Sequence, residues 1–221
     1  MNLDFGIIPK YLPMFFRSIG VTMQVTLLSL LVGFVLAIPL TLCKISRSRI
    51  LRGFAQFYTS IFRGVPQLVQ VAMAYFAAPQ LFAYKITSLQ AAVLAFGLNS
   101  AAFLSENLRG GFAGVDVGQK EAAQALGVSY PRMMWDIIFP QAIKSVLPSI
   151  INEIINLLKG TSLVSTIGMV DIMRTAQMVM SATFRQFEPL LVAALIYYVI
   201  VTILNFIAKR IERKVRKSDQ R

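Results

Sequence analysis

The sequence predicts an all-α polytopic membrane protein with about five transmembrane helices, its N-terminus outside and its C-terminus in the cytoplasm. Two observations carry this. Of 221 residues, 56% are hydrophobic and only 14% charged, and mean hydropathy is +0.65; a soluble domain of this length carries about 25% charged residues. The uncharged positions also gather into runs at residues 18–43, 64–84, 86–105 and 189–208. Each run reaches the roughly 20 residues that a helix needs to cross the hydrocarbon core.

The elements follow in order. Residues 1–20 do not read as a cleavable signal peptide, because Asp4, two prolines and Arg17 interrupt any apolar region. Ile7, Ile8, Tyr11, Leu12, Phe15 and Phe16 are spaced for a short amphipathic surface helix instead. Helix one, 18–43, is expected to exit into a basic loop, 44–52. Helix two begins near Gly64 and ends near Ala78-Pro79, before a short outer loop at Tyr84-Lys85. Helix three, 88–108, returns inside at Arg109-Gly110-Gly111. Helix four, 137–158, is punctuated by Lys144, Glu153 and Lys159. Parity requires it to cross, since the tail and the polar segment 121–140 must share a side and helix five, 189–208, supplies only one crossing. Residues 160–187 fit a short helix packed at the outer face. No repeat or linker is visible, so residues 1–221 read as one membrane domain with a core at 18–208.

The net charge is +12, and its distribution decides its meaning. Lys209, Arg210, Arg213, Lys214, Arg216, Lys217 and Arg221 lie in the tail, and Lys44, Arg47, Arg49, Arg52 and Arg63 between the first two spans. Short loops rich in Lys and Arg stay in the cytoplasm, so anionic membrane lipid is the expected partner and nucleic acid is not. The single Cys43 permits no internal disulfide. The absence of histidine excludes His-based zinc or haem sites and His general bases. No metal site, catalytic residue or cofactor is expected.

Residues 121–140 read EAAQALGVSYPRMMWDIIFP. Lys120 to Leu126 are good helix formers, Gly127 suits a left-handed helix end, and Pro131 suits the first turn of a second helix. Two short helices meeting at a glycine make a rigid knob, with small side chains at Ala122 and Ala123 and a charge at Glu121. The pattern resembles the EAA loop, E-A-A-x3-G-x9-I-x-L-P, of membrane subunits of type I ATP-binding-cassette importers. Phe139 departs from it, standing where Leu is usual. Three further stretches resemble the polar amino acid branch (histidine, arginine, glutamine and cystine types). They are R-G-V-P-Q-L-V-Q from Arg63, S-E-N-L-R-G-G from Ser105, and L-K-G-T-S-L-V-S from Leu158, where Gly160 replaces the usual Asp.

The resemblance implies a permease subunit that moves a polar amino acid across a bacterial plasma membrane by alternating access. It implies that Glu121, Ala122, Ala123, Gly127, Ile137 and Pro140 couple the chain to an ATPase. The sequence has no G-x-x-x-x-G-K-[ST] phosphate loop, so ATP would be bound and hydrolysed by a separate subunit. Two copies of a cytoplasmic ATPase follow, with an extracytoplasmic amino-acid-binding protein and a second permease chain, identical or paralogous.

Candidate path residues come from polar groups within the spans, which are expensive against lipid. On helix four Ser145, Ser149, Asn152, Asn156 and Lys159 recur at helical spacing with Glu153 at their flank. Substrate lining and interhelical hydrogen bonding both account for such a stripe. Glu106 and Arg109, three apart, are candidates for a structural ion pair or an inner gate. The rival readings are an ATP-independent amino acid carrier or channel, and a membrane-embedded enzyme. The five spans show no repeat of the kind many such carriers carry, and the sequence has no carboxylate or histidine cluster for the latter.

Overall fold

A computed structural model describes residues 3–217. Among these the regular structure is all helical, in the order α1 (Ile8–Ile45), α2 (Arg49–Gly64), α3 (Gln67–Ala72), α4 (Ala78–Phe82), α5 (Ser88–Gly114), α6 (Val117–Ala125), α7 (Tyr130–Arg132), α8 (Phe139–Gly160), α9 (Ile172–Thr183) and α10 (Phe187–Lys217). Wider π turns, Met73–Ala77 and Met133–Ile138, join α3 to α4 and α7 to α8, and a 3-10 segment, Thr161–Ile167, follows α8.

α1 shows why this sequence belongs in lipid. Its buried positions include Ser18, Thr22, Thr26, Ser29, Gly33, Ala37 and Thr41, at steps of three or four. Leu27, Leu31, Val35, Ile38 and Leu42 are each about three-fifths exposed. Small and hydroxyl groups therefore face the protein, and large aliphatic groups face outward, as expected where lipid rather than water surrounds the bundle. Three of the hydroxyls are satisfied locally: Ser18 donates to the Phe15 carbonyl, Thr26 to Thr22 and Thr41 to Ala37, at 2.7–2.8 Å. Ser105 on α5 and Ser145 on α8 do the same.

The small stripe lets α5 lie against α1 over most of its length. At Gly97 a Cβ would sit 2.7 Å from Val32 Cγ1, so no larger residue fits that crossing. α8 packs against both α5 and α1, with Val146 and Ile150 meeting Leu104 and Ala37. α9 and the 3-10 segment close the opposite end, where Phe15 is wholly buried among Ile172, Ala176, Val179 and Ala193. α10 lies outermost, only 6% of its most apolar stretch being buried.

Phe5–Ile45, Ser88–Gly114 and Phe187–Val215 are long and apolar enough to cross a membrane by length and composition. They correspond to expected helices one, three and five. Expected helix two is the shorter, broken α3–α4 unit, and expected helix four is α8.

Three expectations need correction. The N-terminal amphipathic stretch is no separate surface helix; it forms the first turns of α1, with Pro13 accommodated inside, because Phe15 finds an apolar pocket on α9 and α10. The basic loop 44–52 is largely helical: α1 runs through Lys44, and Arg49 opens α2 behind the N-cap Ser48. Helix three continues past Arg109-Gly110-Gly111 to Gly114. Residues 160–187 do contain a short helix, α9, and residues 84–87 are irregular as expected. Arg221 of the basic tail lies outside the described residues.

Candidate functional site

Two places bring the predicted residues together. The first is a cavity of about 330 Å³ between the α2–α3 elbow, α5 and α8, a size within the range of small-molecule sites. Glu153, 9% exposed, and Asn156 reach it from α8, with Arg63, Gln67, Asn99 and Phe103 opposite. The guanidinium of Arg63 lies 5.0 Å from the centroid of the Phe103 ring, a cation–π arrangement that holds the charge at the mouth.

The wall is fixed by amides. Gln67 donates from Nε2 to Asn99 Oδ1 at 2.9 Å, and Asn99 donates to the Phe62 carbonyl at 2.6 Å and to Gln70 Oε1 at 3.2 Å. Gln70 then donates to the carbonyls of Phe62 and Val65. These bonds take up the backbone carbonyls freed where the chain turns at Val65-Pro66, and they fix the direction in which Arg63 leaves α2. At Gly160, where Asp is usual, a Cβ would lie 2.9 Å from Gln67 Oε1. The absent side chain leaves room for the amide that orients Asn99.

Of the predicted path residues, Glu153 and Asn156 line this cavity. Asn152 and Lys159 are exposed and do not, and with Ser145 and Ser149 they form a polar face that the rest of the chain leaves uncovered. Sequence reasoning missed Gln67, Gln70 and Asn99. The signal was present, since amides inside otherwise apolar runs are costly unless used.

Glu106 and Arg109 sit elsewhere, near the other end of α5. Arg109 donates from Nε and Nη2 to Glu106 Oε2 at 3.1 and 3.0 Å. A third member, overlooked in the sequence, is Lys44: its Nζ lies 2.7 Å from Glu106 Oε1 and donates to Ser105 Oγ at 2.7 Å, its side chain 1% exposed. The pair is thus a triad tying α1 to α5.

The second place is the knob. Asp116 caps α6, accepting from the Gly118 N–H at 2.6 Å. α6 ends in two bonds, Val128 N–H to the Ala123 carbonyl and Gly127 N–H to that of Gln124, both 3.0 Å, with Gly127 at φ +69°. This is a Schellman closure. Pro131 then starts α7. Glu121 and Ala122 are exposed, as are Leu126, Tyr130 and Pro140. Ala123 is not available to a partner: at 3% exposure it packs with Val115, Met133, Ile138 and Ala142, and Ile137 is half-buried beside them. One alanine therefore faces outward and the other fastens α6 to the body. Phe139, in the usual Leu position, packs its ring against Trp135 and Phe112, with centroids 5.2 and 6.1 Å away.

Comparison with known proteins adds the following. Residues 29–217 match the family model described as binding-protein-dependent transport system inner membrane component. The arginine transport system permease protein ArtQ of Bacillus subtilis (strain 168) is 46% identical over 219 residues, covering 99% of this chain and 100% of that one. The putative glutamine transport system permease protein GlnP of Rickettsia typhi is 45% identical over 88% of this chain and 89% of its own. A crystal structure of an amino acid ABC transporter with histidines superposes with a TM-score of 0.92 at 36% identity, covering 97% of this chain and 100% of that one.

Proposed function

Because the chain belongs to the family of inner membrane components of binding-protein-dependent transport systems, we propose that a polar amino acid, cationic by preference, passes through the cavity around Glu153. The chain is the permease subunit of an amino acid ABC importer in the plasma (inner) membrane; it is not itself an enzyme, and the ATPase is a separate subunit. That sets aside the ATP-independent carrier or channel.

The observation that carries the substrate reading is a buried carboxylate facing a cavity whose opposite wall holds an arginine. A zwitterion needs a cation for its carboxylate and acceptors for its ammonium group. Arg63 supplies the first, and Glu153 with the Asn156 and Asn99 carbonyl oxygens supplies the second. A carboxylate this deep is costly unless a cation compensates it, which favours substrates with a basic side chain. The arginine transport protein among the relatives agrees.

The proposal includes five crossings, with α3–α4 and α8 completing the three long spans. Lys85 and α9 then lie outside, and the knob and the C-terminal segment inside. The exposed Ser145, Ser149, Asn152 and Lys159 face a second permease chain, identical in the favoured arrangement. Each knob seats in one subunit of an ATPase dimer through Glu121, Ala122 and the Gly127 bend. An extracytoplasmic binding protein delivers substrate at the α9 end.

Glu153→Gln tests the substrate assignment. The amide keeps size and most hydrogen bonds, so melting temperature should hold while the KM for a cationic amino acid rises by about tenfold or more, the worth of one charge-assisted hydrogen bond. A fall in melting temperature with KM unchanged would make Glu153 a structural residue and remove it from the path.

A further inference from the structure

A second cavity lies at the root of the knob, sharing α5 but none of its lining residues with the Glu153 site. It encloses about 390 Å³, and its lining includes Lys44 of α1, Arg109 of α5, Lys120 of α6 and Tyr130 of α7. Three cations converge there. Among the described residues, Glu106, bonded to two of them, is the one carboxylate ion-paired with them, so three positive charges less one negative leaves two. Four separate elements supply the polar groups, and Lys44 is buried while it does so.

Beside it runs an apolar groove of about 360 Å³ between α1, the end of α5 and the start of α8. Ile45, Phe112 and Met134 form a wall common to both. From Ile45 the groove follows α1 through Leu42 to Ile38, a climb of about 10 Å at 1.5 Å per residue. Trp135 and Phe139 flank it, at 67% and 38% exposure, as aromatic residues do at a membrane–water boundary.

A cationic chamber opening onto an apolar trough that climbs toward the bilayer centre has the shape and polarity of one molecule. We infer that this is a binding site for an anionic phospholipid of the cytoplasmic leaflet. The phosphodiester sits among Arg109, Lys120 and Tyr130 above the Lys44–Glu106 bridge, and one acyl chain lies along Leu42 and Ile38. The lipid thereby bridges the knob, through Lys120 and Tyr130, to the spans that carry Lys44 and Arg109. It fixes the knob against α1 and α5, so the anionic lipid content of the membrane sets how firmly ATPase motion is transmitted. The inference uses the cytoplasmic placement of the knob proposed above but not the identity of the substrate.

The test is native mass spectrometry of the purified permease–ATPase complex with dioleoyl phosphatidylglycerol, dioleoyl phosphatidylcholine or inorganic phosphate. Phosphatidylglycerol should stay bound under activation that strips phosphatidylcholine. Lys120→Gln should weaken it about fivefold, the worth of one basic residue near an anionic surface, and Arg109→Lys, which keeps the charge, should weaken it less than Arg109→Gln. Leu42→Trp, which fills the groove without touching a charge, should also reduce phosphatidylglycerol. Equal retention of the two lipids, or undiminished phosphatidylglycerol on Lys120→Gln, overturns the site. Displacement by millimolar phosphate with Leu42→Trp inert would make it a free-anion pocket. Loss of the ATPase from Lys120→Gln in detergent without anionic lipid would make it a seat for an acidic segment of that subunit.

Discussion

Substitution at Gly127 isolates the mechanical role of the knob, because the structure separates the two ways in which a new side chain can do harm. A Cβ at Gly127 would meet nothing within 4 Å, so crowding contributes nothing and only the backbone resists. Its φ of +69° costs an L-residue about 1–2 kcal/mol. Asn, which visits this region readily, falls well below that range; Ala falls within it, and a β-branched Val lies at its top. At about 1.4 kcal/mol per decade, Val shifts the balance between the bent and opened knob by more than tenfold, whereas Asn moves it little. The Schellman bonds from Val128 and Gly127 are what open, and the remainder of the helical bundle is untouched. The assay is substrate molecules carried per ATP hydrolysed, in proteoliposomes containing the permease, its ATPase and the binding protein. The ratio should fall in the order Gly, Asn, Ala, Val while the yield of inserted permease holds. Equal ratios for Asn and Val would refute the argument, because conformation would then not matter. A uniform loss of inserted protein would also refute it, by making the bend a folding element.

Gly97→Leu should drive α5 off α1 at Val32 and cost about 1–3 kcal/mol or more, read as a lower melting temperature of the purified permease; an unchanged value would mean that the crossing has slack. Lys44→Met leaves Glu106 with Arg109 as its partner, so its cost should be about 2 kcal/mol, below the roughly 3–5 of a wholly stranded buried charge. A double-mutant cycle with Glu106→Gln should recover part of that loss, and strict additivity would count against the bridge. Lys85→Cys in a Cys43→Ser background should react with an impermeant maleimide added from outside intact cells. Reaction only after the cells are opened would overturn the five-crossing arrangement.

Charge counting made the three long helices legible in the sequence but hid α2. Residues 49–64 were read by their arginines, yet Ile50, Phe54, Phe57 and Ile61 recur at helical spacing and stand 42–84% exposed on one face. A periodicity test would have found an amphipathic helix there. The knob was legible because its geometry is local: a glycine in a left-handed bend and a proline in a first turn are properties of neighbouring residues. The cavity was not, because its parts come from helices far apart in sequence. Glu153 and Asn156 announced themselves as polar groups within a span, but only packing shows that Asn152, one residue from Glu153, turns away from it. Lys44 opens a Lys- and Arg-rich stretch of the kind that lies in a cytoplasmic loop, but Glu106 and Ser105 hold it inside instead.

The inward-facing hydroxyls of α1 have a mechanical consequence. Ser18 and Thr26 give their protons to their own helix, so at those positions α1 presents α5 with shape rather than directional bonds. The side-chain bonds that tie α1 to α5 gather at one end: Lys44 to Ser105 and to Glu106, both at 2.7 Å. α1 and α5 therefore meet across a slip plane that is riveted at one extremity. Shear between them is cheap far from that rivet and dear beside it, so the two helices have the most freedom to move apart at the opposite end, by α9.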